Sequence, residues 1–75
     1  MRPHYWAVRP KGDASNTRIE KAETASRACE LAFGRGRQRG AWEAKDLGTQ
    51  VRVIHSDSKR IALLTSPEGW SDPNA

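Results

Sequence analysis

Cysteine is almost missing from this chain: Cys29 is the only one in 75 residues. With no second thiol an intrachain disulfide is excluded, and a reducing compartment is the expectation. Histidine is nearly as scarce, limited to His4 and His55. A site of three or four metal ligands usually draws on closely spaced Cys or His pairs, and none occurs here. Neither a metal nor any other cofactor is therefore expected. The same scarcity leaves no nucleophile and base to pair. Cys29 falls on the apolar stripe of a predicted helix and reads as a small core residue, while His55 reads as surface. Glu20, Glu23 and Glu30 are flanked by Lys or Arg at helix-like spacing, the pattern of a solvated face. The glycines match neither a P-loop nor a dinucleotide fingerprint. The expectation is a protein that is not an enzyme.

Long apolar runs are lacking too. The longest aliphatic run is Ile61-Ala62-Leu63-Leu64, far short of the roughly 20 residues that cross a bilayer. Met1 to Trp6 offers no apolar core of a signal peptide. No membrane partner and a cytoplasmic location are expected. A chain this short buries only about 60% of its unfolded surface, enough for one core but not for a core and a deep pocket. A homodimer partner or a bound target would supply burial that the chain lacks.

What is present is positive charge in one place. The net charge is +4. Between residues 34 and 60, Arg35, Arg37, Arg39, Lys45, Arg52, Lys59 and Arg60 stand against Glu43, Asp46 and Asp57, while the remainder of the chain is balanced. The densest part is Gly34-Arg35-Gly36-Arg37-Gln38-Arg39-Gly40. Each guanidinium presents a planar fork that fits a phosphate, and glycines let backbone approach a ligand closely. Trp42 follows as a candidate stacking surface. The competing reading is ordinary: cations beyond a helix C-terminus complement its dipole, and basic loops solubilise.

The local pattern predicts the elements. His4 to Arg9 alternates between Pro3 and Pro10, as a strand does. Lys11 to Asn16 is turn chemistry. Residues 17–23 admit two readings. In one, Thr17 opens a helix that runs to Phe33. In the other, preferred here, Thr17 to Glu23 is a second strand and Thr24 caps a shorter helix from Ala25 to Phe33. In that helix Ala25, Ala28, Cys29, Ala32 and Phe33 form the apolar stripe. Gly34 suits the position after the helix. Ala41 to Leu47 reads as a brief strand or a helical turn. Thr49–His55 and Arg60–Thr65 read as a hairpin about Ser56–Lys59. Residues 1–65 are thus expected to form one α+β domain: a small antiparallel sheet of three or four strands with one helix on one face. The order is ββαββ, with βαββ as the alternative. Residues 66–75 are expected to be a flexible tail.

Two functions are compatible with this reading. The first is a non-enzymatic module that contacts DNA or RNA phosphates through Arg35, Arg37 and Arg39, supported by Lys45, Arg52, Lys59 and Arg60, with Trp42 stacking. The second is a small protein-binding regulator or inhibitor, of the kind phages and mobile elements encode. It would use the same cations on an acidic protein partner, or cover a host protein's nucleic-acid-binding surface. Trp6 reads as core. Trp70 reads either as a lid folded back on the sheet or as an exposed anchor for a partner.

Overall fold

A computed structural model describes residues 2–35, 40–49, 64 and 66–73 of the chain. Strand β1 is His4–Pro10, and Pro10 closes it at an end, where its missing N–H costs least. The following turn is held by its own polar side chains. Ser15 Oγ donates to Asp13 Oδ1 at 2.7 Å, and Thr17 Oγ1 donates to the Ala14 carbonyl at 2.7 Å. Ala14–Asn16 between them makes one 3-10 turn. The chain then returns as β2, Arg18–Ala22, antiparallel to β1, with Arg18 opposite Val8 and Ala22 opposite His4.

The strand reading of residues 17–23 therefore prevails over the long helix, and a local cap explains where the helix starts. Thr24 is extended, and its side-chain oxygen accepts the Arg27 N–H at 3.1 Å, which satisfies one donor of the first turn. Helix α1 is Ala25–Phe33. It stops at Gly34, whose φ of +83° is costly for any side chain and whose N–H donates to the Glu30 carbonyl at 2.7 Å. Strand β3, Trp42–Gly48, lies antiparallel to β1, and β4, Trp70–Ser71, lies antiparallel to β3. The sheet order is β2-β1-β3-β4. The protein is an α+β fold, a four-stranded antiparallel sheet with a helix packed against it.

The α1 side of the sheet is unusually fine-grained. Val8, Ala22, Ala28, Cys29 and Ala44 form the buried cluster, with Trp6, Phe33 and Trp42 packed around it. Three alanines at the contact let the helix lie close to the strands, and the large rings wall the sides. Trp6 satisfies its indole N–H by donating to the Ala22 carbonyl at 2.9 Å. On the other face Ala7 and Lys45 are buried. There Arg9 is ion-paired with Glu43, and its guanidinium lies 3.8 Å from the centroid of the Trp70 ring.

Two parts of the sequence reading change, and a third falls almost wholly outside the described residues. The stretch 41–47, left between strand and helical turn, supplies six residues of a seven-residue strand, Trp42–Gly48. Trp70–Ser71, expected in a tail, forms the edge strand of the sheet. There the indole packs with Arg9 and Lys45, a contact the sequence pattern does not show. The predicted hairpin Thr49–His55 and Arg60–Thr65 lies outside the described residues except at Thr49 and Leu64, and Leu64 is helical rather than extended. The third and fourth strands of the sheet are thus β3 and β4, flanking that segment.

Candidate nucleic-acid interface

Strand direction decides which residues meet. β1 runs antiparallel to both neighbours, with Val8 opposite Arg18 and Pro10 opposite Trp42. The last residues of β1 and the first of β2 and β3 therefore share one end of the sheet. Helix α1 delivers its C-terminus to the same end. The Phe33 ring lies 4.5 Å from that of Trp42, tilted by 42°, and the Arg18 guanidinium is 5.3 Å from the Phe33 centroid. The Lys11 N–H donates to the Ala41 carbonyl at 2.9 Å, tying the β1–β2 turn to the approach to β3. The basic stretch leaves α1 at Arg35 and re-enters at Gly40 at this end.

Arg35 is 86% exposed, and its Nε lies 3.3 Å from Glu30 Oε1. Glu30 also receives Arg27 at 3.2 Å. Exposed ion pairs of this kind are worth about 0–1 kcal/mol, so a phosphate can compete for Arg35 at little cost. Lys11 and Arg18 are exposed. Neither makes an ion pair among the described residues, whereas Arg9, Arg27 and Arg35 each do.

The other expected site residues divide. Trp42 is at this end but half-buried against Phe33 and the core, so only part of its ring faces outward. Lys45 is not a surface cation: it is 7% exposed, on the opposite face from α1, with Nζ 6.0 Å from the Trp70 ring. Strand alternation puts it on the Arg9 side, and its stem packs against Gly69, where an added Cβ would sit 3.5 Å from Lys45 Cε. Trp70 takes the lid position and not that of an exposed anchor. Besides stacking on Arg9, its indole N–H donates to the Ser66 carbonyl at 3.0 Å. Arg37, Arg39, Arg52, Lys59 and Arg60 lie outside the described residues.

Arg18, Lys11 and Phe33 join this end without having been singled out as site residues. Their association depends on β-register, which composition does not reveal; the signal was the hairpin itself, once Arg18 is set opposite Val8.

Elsewhere, His4 Nδ1 lies 2.9 Å from Asp46 Oδ2 beside the Trp6 ring, at the far end of the sheet. Among the described residues no three His, Cys, Asp or Glu side chains converge as a metal site would need, and no helix is long and apolar enough to cross a membrane. An open groove of about 450 Å³ lies between β2 and α1, lined by Lys21, Glu23, Thr24, Arg27 and Leu31 among others. No protein-family model matches the chain, and neither does any curated protein or solved structure.

Proposed function

We propose that this protein is a non-enzymatic binding module that contacts nucleic-acid phosphates through its Gly34–Gly40 basic stretch. The observation that carries the reading is the setting of Arg35. It is almost fully exposed just past α1, held only by a surface carboxylate among the described residues, at the end of the sheet that also presents Lys11 and Arg18. Arg37 and Arg39 follow it in sequence between glycines. Phosphate contacts of this kind position a backbone and do not read bases.

The test is a salt titration of binding to labelled DNA and RNA. Neutralising three phosphates on duplex predicts a log–log slope of about −2.7. Absence of binding to either nucleic acid at low salt would end this reading. Capture of protein partners that survives nuclease treatment, in the same absence, would favour the regulator reading.

A further inference from the structure

We infer that the basic end of the sheet takes single-stranded nucleic acid in preference to duplex, with Arg18, Phe33 and Trp42 as a stacking surface; this rests on the phosphate-binding reading above. The two rings pack against each other at 4.5 Å, and each is partly buried with part of its surface left outward. The Arg18 guanidinium lies over Phe33 at 5.3 Å. An exposed guanidinium without a carboxylate partner among the described residues is held on an aromatic ring, and its planar cation is itself a surface on which a base stacks. Lys11 and Arg35 are exposed at the same end and supply positive charge for the phosphates that flank such a base. Of the acids here, Glu30 is already ion-paired, lying between Arg27 and Arg35.

Duplex can use the phosphate contacts at this end but not the stacking surface. Its base faces are hidden in the stack, and no projecting helix offers groove contacts in their place. Helix α1 has nine residues, with Ala28 and Cys29 buried and Ala25, Ala32 and Phe33 packed against the core cluster. Unstacked bases instead present their faces, and every base has one, so the preference is for strandedness and not for sequence.

The experiment compares the full chain binding a labelled single-stranded oligonucleotide of about 12 nucleotides and the corresponding duplex, at one low salt concentration. The single strand is expected to bind about fivefold or more tightly. Arg18→Lys keeps the charge and removes the planar guanidinium, at an exposed position where folding is not at stake. It is expected to weaken single-strand binding severalfold and leave duplex binding unchanged. Trp42→Leu is expected to weaken single-strand binding further, provided its circular dichroism matches that of the parent. Equal affinity for the two forms, or equal effects of Arg18→Lys on both, would overturn the stacking inference and leave the phosphate reading intact. Failure to bind either form would overturn both.

Discussion

Individual side chains at the basic end differ sharply in what they can give to a ligand. Arg35 is nearly all in solvent, whereas Lys45, of the same charge and nearby in sequence, is packed beneath Trp70. Arg35→Gln should therefore lower nucleic-acid affinity and reduce the salt slope by about 1, while Lys45→Gln leaves both unchanged; a titration series on each variant checks this. Gly34 shows a different residue-level constraint. A Cβ there would meet nothing within 4 Å, yet φ is +83°. Gly34→Ala should cost about 1 kcal/mol through backbone conformation alone, measurable by urea denaturation. The sequence made Gly34 legible as a helix stop. It could not show that Lys45 is buried, because burial there is created by an indole from the far end of the chain.

At the scale of elements, β1 and α1 were legible because each carries a complete local pattern: an alternating run between prolines, and an apolar stripe between a threonine cap and a glycine stop. Thr24→Ala should remove about 1 kcal/mol of stability, while Thr24→Ser should keep most of it, read from denaturation midpoints. Strand β2 was legible as one of two readings. Strand β3 was not clear, for a physical reason. Its helix-facing position beneath α1 is Ala44, chosen small so that the helix can approach, and its other face carries Glu43 and Lys45, charges satisfied by Arg9 and covered by Trp70. A strand without bulky alternation gives no periodic signal. Ala28→Leu, which thickens that same close contact, should destabilise by about 1–3 kcal/mol. Strand β4 has only two residues and no signal of its own. Trp70→Ala should cost about 1–2 kcal/mol by loss of the cation–π contact with Arg9, and Trp70→Phe should retain most of it.

Across the whole molecule, charge and packing are arranged on different axes. The helix side and the Trp70 side hold the sheet between two layers, while Lys11, Arg18 and Arg35 are exposed at one end, where β1 finishes and α1 exits. If phosphates bind at that end as proposed, their exposed cationic contacts lie outside both layers, so charge-removing variants there should shift affinity without shifting Tm. Core variants should do the reverse, at about 4–8 °C per kcal/mol for a domain of this size. The basic stretch itself was legible from composition. Its companions Lys11, Arg18 and Phe33 were not, since two chain reversals, from β1 to β2 and from β2 to α1, bring them together. The three tryptophans also give the molecule an optical property. Trp6 is hydrogen-bonded to a strand carbonyl, Trp42 rests on a phenyl ring, and Trp70 lies under a guanidinium. Each indole thus emits from a distinct environment: one in the helix layer, one at the basic end of the sheet, one in the opposite layer. Variants that keep a single tryptophan would report these regions separately. Coincident thermal transitions would establish that so small a sheet melts as one cooperative unit, and quenching confined to Trp42 would locate the bound strand by its light.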